Sequence, residues 1–341
     1  NDPQPMRTLS AFAYTAAVLL GSVGGLCVLY NPLLSDIYVG AWPVLNRLLF
    51  AYGVTAAALI VLGRAMEGQT IFGHPDDILA FAVKMTAQLA LLLLVTIEAG
   101  QFVDWLGIRD SGALLVKYGA VIAVWLVVAV SAHRYARQRD SERVLAYAWG
   151  YAALAAIAFI AGPMLLENPF LGRVVVGAEP LFNRLLLVYL LPCLMFAVIA
   201  VRFGACPYLR ERETWPAAGF ALLSLVAGFV WLTALVRQAF QGPYLYGGLT
   251  SDAELYTYSV VWLGYGLALL ALGVWRRSQA IRYASAAVVL MTVCKVFLLD
   301  AAGLTGLYRV ASFLGLGFSL IGIGYLYQRL LPRREPETAG S

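Results

Sequence analysis

Ten runs of apolar residues organise this chain. They cover about 9–30, 43–63, 78–98, 112–133, 143–165, 181–202, 216–238, 254–275, 280–299 and 304–329. Each approaches the roughly 20 residues that a helix needs to cross a bilayer core about 30 Å thick. Polar residues collect in the short connections, which leave no room for a soluble domain. The ten-residue alternation of a membrane barrel is absent. The pattern predicts an all-α membrane protein of about ten transmembrane helices.

Composition points the same way. Of 341 residues, 61% are hydrophobic and 13% charged, with mean hydropathy +0.78. A soluble domain carries about 25% charged residues. This chain cannot cover a water-facing surface, so its solvent is lipid. The net charge of +5 is informative through its distribution, and carries no nucleic-acid signal. Arg134, Arg137, Arg139 and Arg143 follow the fourth run, Arg202, Arg210 and Arg212 the sixth, and Arg276, Arg277 and Arg282 the eighth. Arg329, Arg333 and Arg334 lie at the end of the tenth. In a ten-helix layout all these ends share one side. The other side holds Asp36, Glu98, Asp104, Asp110, Glu167, Glu179, Asp252 and Glu254. Arginine-rich loops remain cytoplasmic, so both termini are expected there. The start, "NDPQPMRTLS", lacks the pattern of a cleaved signal peptide and an initiator Met, as expected of a fragment or processed form.

One passage occurs twice. "NPLLSDIYVGAWPVLNRLLFAY" (31–52) and "NPFLGRVVVGAEPLFNRLLLVY" (168–189) align without a gap at an offset of 137. Twelve of 22 positions are identical, against roughly two or three by chance, so the match reports an internal repeat. Trp125 and Trp262, and Arg139 and Arg276, hold the same offset. It carries the second run onto the sixth. Four helices, an even number, preserve direction, so the two copies are expected as parallel repeats about an axis along the membrane normal. The predicted organisation is a four-helix repeat over 1–138, a second over 139–275, and a helix pair with a tail over 276–341.

The repeated passage reads as helix end, irregular loop and helix start. Asn-Pro closes the preceding helix, Gly40 and Gly177 permit a turn, and Pro43 and Pro180 suit a first helical turn. Asn46–Arg47 and Asn183–Arg184 then fall one turn into helices 2 and 6. Arginine near the outer interface must snorkel or pair. Two Asn-Arg pairs at two helix starts form a candidate site for a phosphate or carboxylate. Asp36, Glu98, Asp104 and Glu167 are candidate acidic partners. The same residues also suit a purely structural device, with Asn tying down loop carbonyls and Arg holding a neighbouring loop.

A second charged cluster lies in "KVFLLDAAGLTGLYRVASFLGLGFSLIGIGYLYQR". Lys295, Asp300 and Arg309 flank the turn between helices 9 and 10. They line the same outer cavity, or else Lys295 snorkels and Asp300 caps helix 10. Gly315, Gly317, Gly322 and Gly324 supply small residues for helix packing, and so a route to an oligomer. Lys84 and Lys117 are expected to snorkel. His74, Asp76 and Asp77 carry metal-type side chains but are interrupted by Pro75 and lack a distant partner, so no metal and no cofactor is expected. Cys27, Cys193, Cys206 and Cys294 form no metal-like spacing. Ser312 has no nearby base in sequence. Trp42, Trp105, Tyr118, Tyr244 and Tyr246 suit an interfacial aromatic belt; the Tyr-rich run "GPYLYGGLTSDAELYTY" also suits a carbohydrate site.

The motif "NP…VG…P…NRLL…Y" and the block from Lys295 to Arg329 resemble the bacterial membrane proteins grouped as domain of unknown function 2339. The resemblance implies a bacterial inner-membrane location and a chain matching the C-terminal portion of longer relatives. It brings no reaction and no catalytic residues. Three functions stay open: binding or transport of a small or lipid-linked anionic molecule, modification of envelope lipids or glycans, and a structural or assembly role. Membrane lipids are the expected partners in each.

Overall fold

A computed structural model describes residues 22, 40, 42, 45–65, 70–71, 74–75, 77–179, 182–204, 215–300 and 307–330. For some of these only the backbone is described. The expected first span, apart from Ser22, lies outside them, as do Asp36 and Asp76. The chain divides into two compact units, Asn1–Val128 and Ala129–Ser341.

In the first unit a π-helical turn, Leu49–Val54, runs directly into α1 (Thr55–Ala65). It packs on α2 (Asp77–Trp105). The seam on α2 is Val83, Ala87, Ala90, Leu94 and Ile97, all buried, at spacings of four and three that hold one helical face. Tyr52, Ala56, Leu59 and Leu62 face it. The approach is close: a Cβ added to Gly63 would lie 2.8 Å from Lys84 Cγ, so the Lys84 stem lies against α1. Between α1 and α2, Thr70–Ile71 and His74–Pro75 form a two-residue antiparallel pair. α3 (Ala113–Arg139) follows a turn in which Asp110 Oδ1 accepts the Gly112 N–H at 2.9 Å.

The second unit begins within α3. α4 (Glu142–Phe159) continues into a π-helical segment, Ile160–Leu166, that contains Pro163. A second π-helical turn, Leu186–Leu190, opens α5 (Leu191–Arg202). α6 (Trp215–Gln241), α7 (Asp252–Trp275) and α8 (Gln279–Lys295) follow. α8 ends in a π-helical turn, Val296–Asp300, and α9 spans Leu307–Leu330. Phe159, Tyr189, Phe196 and Phe220 form a buried aromatic layer with ring centroids 5.6–6.1 Å apart. Ser285 Oγ donates to Gly266 O at 2.7 Å, where α7 and α8 lie too close for a Cβ on Gly266.

Among the described residues, six helical segments are long and apolar enough to cross a membrane: Val83–Trp105, Ala113–Arg139, Val144–Leu166, Trp215–Gln241, Asp252–Trp275 and Gln279–Leu298. Among the described residues the spans expected at 43–63 and 181–202 yield shorter apolar stretches, Leu49–Arg64 and Leu186–Arg202, while the span expected at 304–329 is helical over Leu307–Leu330. The first two are short because Asn46 and Asn183 start their helices instead of lying one turn inside them. A short side-chain carbonyl matches the unpaired N–H groups of a first turn, and that fixes the start.

Several local features recur 137 residues apart. The turns Leu49–Val54 and Leu186–Leu190 begin at equivalent positions. Trp125 Nε1 donates to Thr96 Oγ1 at 3.0 Å, and Trp262 Nε1 to Thr233 Oγ1 at 3.1 Å. Asp140 and Arg277 both take positive φ, 49° and 51°. Ser141 and Ser278 follow them as extended residues ahead of α4 and α8.

Candidate functional site

The better-defined copy of the repeated passage lies in the second unit, and each of its marked residues has a mechanical task. Asn168 closes the preceding helix: its Nδ2 donates to Met164 O at 2.9 Å and its Oδ1 accepts the Phe170 N–H at 2.9 Å. Gly177 adopts φ +108°, a conformation that L side chains rarely take. Asn183 opens the next helix, its Oδ1 accepting the Leu185 N–H at 3.0 Å. Arg184 closes the loop between them. Its backbone N–H donates to Val176 O at 3.0 Å and its guanidinium Nη1 to Val175 O at 3.0 Å. Val176 N–H in turn donates to Pro243 O at 2.9 Å, and Val175 pairs with Tyr244 in an isolated antiparallel bridge.

Gln238, on the last turn of α6, ties this loop to the bundle. Its Oε1 accepts from Asn183 Nδ2 at 2.5 Å, and its Nε2 donates to Gly177 O at 2.7 Å and Glu179 O at 3.0 Å. The first copy repeats the cap: Asn46 Oδ1 accepts from Leu48 N at 2.8 Å and Leu49 N at 3.2 Å, and Gly40 takes φ +136°. Asn46 is buried and Arg47 is exposed.

Beside Gln238 lies a buried ion pair. The Glu254 carboxylate, 0% exposed, receives Arg237 Nη1 at 2.7 Å, Gln241 Nε2 at 2.9 Å and Tyr258 Oη at 2.9 Å. Arg237 also gathers the loop between α6 and α7. Its Nε donates to Leu245 O at 3.1 Å, its Nη2 to Gly247 O, and its Nη1 to Thr250 Oγ1 at 3.0 Å. These four contacts fit a fixed fork, which lysine could not supply. Ser251 Oγ caps α7 by accepting the Glu254 N–H at 3.2 Å.

Lys295 does not snorkel. It is buried, and its Nζ donates to Leu255 O at 2.7 Å and Ser259 Oγ at 2.8 Å on α7. The side chains of Asp300 and Arg309, which were expected beside it, lie outside the described residues. Lys117, partly exposed, pairs with Asp104 at 2.7 Å. Asp104 and Lys117 occupy positions 137 residues before Gln241 and Glu254, so both copies join α-helices with a polar contact at the same place. Glu98 lies half-buried on α2, and Glu167 ends the π-helical segment, its N–H donating to Gly162 O at 2.9 Å.

The structure therefore brings Asn183 and Arg184 together and engages Asp104 elsewhere. Arg237, Gln238, Gln241 and Glu254 complete the site, and only Glu254 stood out in the sequence, as a loop acid. The available signal was an Arg-Gln-x-x-Gln cluster at the end of an otherwise apolar run. Such a cluster is costly in lipid unless partnered.

A predominantly helical chain with six described segments long and apolar enough to span a bilayer has the build of a membrane protein. A family model described as "Predicted membrane protein (DUF2339)" matches residues 73–330. The chain belongs to that family. No curated protein and no solved structure matches it.

Proposed function

We propose that the chain binds or transports a small or lipid-linked anionic molecule of the cell envelope at the end of the protein that carries the repeated Asn-Arg passages. In this reading the protein crosses a bacterial inner membrane ten times, with both termini cytoplasmic. Two like-oriented four-helix repeats precede a final helix pair, and the twin passages face outward. The recurrence of capped starts, Trp–Thr bonds and positive-φ turns at one offset supports this organisation.

The observation that carries the functional reading is the π-helical turn directly after each Asn-Arg start. A π turn is a poor element energetically and concentrates at functional sites. In the second copy Pro192, just beyond the turn, expels the backbone from α pitch. In the first copy Thr55 holds that place, its hydroxyl bonding Ala51 O at 2.6 Å, and the turn persists. Interrupted helices in paired positions of two repeats are where transporters build their sites. Arg47, exposed at the first start, supplies the cation. Asp104 is engaged by Lys117 and Glu254 by Arg237, which supports binding over acid–base catalysis by these two carboxylates.

A structural or assembly role is the second reading. Arg184, Arg237 and Lys295 all spend donors on loop or helix carbonyls, which supports it. Thermal unfolding of the purified chain with and without a polyprenyl phosphate separates the two. Ligand binding predicts a rise in midpoint that Arg47→Ala removes while the midpoint without ligand is unchanged. Equal midpoints with and without the phosphate in the native chain favour the structural role.

A further inference from the structure

At the arginine-rich end of the second unit, opposite the repeated passage, two ring nitrogens are buried without a partner among the described residues: His133 Nε2 and Trp149 Nε1. The two side chains are 5% and 9% exposed. Both lie on one ring. His133 stacks on Phe203 with centroids 4.2 Å apart, and Trp149 meets the same ring edge-on at 5.0 Å. Three helices thus converge: α3 through His133, α4 through Trp149, and the end of α5 through Phe203. Arg137 lies one turn along α3 from His133, and Arg202 directly precedes Phe203.

We infer that His133, Trp149, Arg137 and Arg202 form a binding site for a phosphate-type anion, carried either by the headgroup of an anionic phospholipid or by free phosphate. The chemistry is that of donors, the His133 Nε2 joining them in the tautomer protonated there. An indole N–H can only donate, and an arginine guanidinium only donates. Burying the two ring nitrogens unpaired is costly, so a native site retains them for a reason, and the exposed Arg137 and Arg202 stand at its rim. Two buried ring nitrogens and two flanking guanidiniums match an anion with several oxygens, and basic pockets between membrane helices take lipid headgroups.

Helix packing alone does not require these residues. The positions 137 residues further on from His133, Arg137 and Trp149 are Leu270, Val274 and Ala286, on α7 and α8. There the same helix–turn–helix is built from apolar side chains. The polar set belongs to one copy only, as expected of a site and not of a fold device.

The test uses the purified full chain in detergent and reads the unfolding midpoint. One arm titrates phosphatidylglycerol against phosphatidylcholine. The other titrates inorganic phosphate against chloride at equal ionic strength. Stabilisation by phosphatidylglycerol alone identifies a lipid headgroup; stabilisation by phosphate as well identifies a phosphate site. In either case Arg137→Gln and Arg202→Gln each weaken apparent affinity about tenfold, the loss of one charge-assisted contact. His133→Phe keeps the stacked ring on Phe203 and also weakens binding. Arg139→Gln, an exposed arginine on the same helix, leaves affinity unchanged. The proposal is overturned if neither anion stabilises the native chain, or if Arg139→Gln weakens binding as much as Arg137→Gln.

Discussion

The indole N–H of Trp262 donates to the hydroxyl of Thr233 at 3.1 Å, joining α7 to α6. The same bond joins Trp125 to Thr96 at 3.0 Å, the partners lying 29 positions apart in both cases. A buried indole needs an acceptor, and a threonine on the facing helix supplies it at one level in each copy. Thr233→Val preserves shape and removes the acceptor. It should lower stability by about 1 kcal/mol, within the range for hydrogen bonds between membrane helices. Thr96→Val should cost about the same, measured by reversible unfolding in mixed detergent.

Glu254 and Arg237 carry a heavier load. The carboxylate is fully buried and satisfies three side chains, so its removal strands a guanidinium and frees the loop from Leu245 to Thr250. Glu254→Ala should cost about 3–5 kcal/mol, as for other broken buried pairs. Replacing both partners with apolar residues, Arg237→Met with Glu254→Leu, should recover much of that loss. Limited proteolysis of the loop would report the release separately: rapid cleavage in Glu254→Ala and slow cleavage in the native chain.

Asn183 and Asn46 cap equivalent helix starts but are not equally embedded. Each caps a first turn, worth about 1 kcal/mol. Asn183 also donates to Gln238, which in turn holds the Gly177 and Glu179 carbonyls. Asn183→Ala should therefore destabilise more than Asn46→Ala. Gln238→Leu should reproduce the excess, and the Asn183→Ala/Gln238→Leu double variant should fall short of the sum of the two single losses.

Two glycines should respond in opposite directions. Gly177 has φ +108°, so Gly177→Ala should cost about 1–3 kcal/mol of backbone strain. Gly150 lies exposed inside α4 with no heavy atom within 4 Å of a Cβ placed there. Gly150→Ala should leave stability unchanged or raise it by up to about 1 kcal/mol. Paired melting curves of the two variants check both.

Much of this was legible beforehand, for physical reasons. Bilayer thickness dictates apolar length, so spans such as Ala113–Arg139 and Trp215–Gln241 stand out at once. The duplicated passage announced two helix starts because Asn, Gly and Pro do local work that depends on near neighbours, but it placed them about one turn early, at Pro43 and Pro180, whereas Asn46 and Asn183 are the caps. The partners of Lys295 and Lys117, Leu255 O with Ser259 and Asp104, were not legible, because they are defined only by packing. Arg237 and Glu254 pair across a folded-back loop, a relationship that no helical period records. The π-helical turns left no mark either, since leucines, Phe50 and Tyr52 suit either pitch equally.

The most direct test of the central claim concerns Leu45 and Phe182, equivalent exposed residues one position before Asn46 and Asn183. Each is replaced by cysteine in a chain whose four native cysteines are changed to alanine. Intact cells are then treated with a membrane-impermeant maleimide, and an Arg276→Cys variant serves as the opposite-side control. Like-oriented repeats predict that both Leu45→Cys and Phe182→Cys react from outside the inner membrane, while Arg276→Cys reacts only after that membrane is opened. Labelling of the two passages from opposite sides would contradict the account.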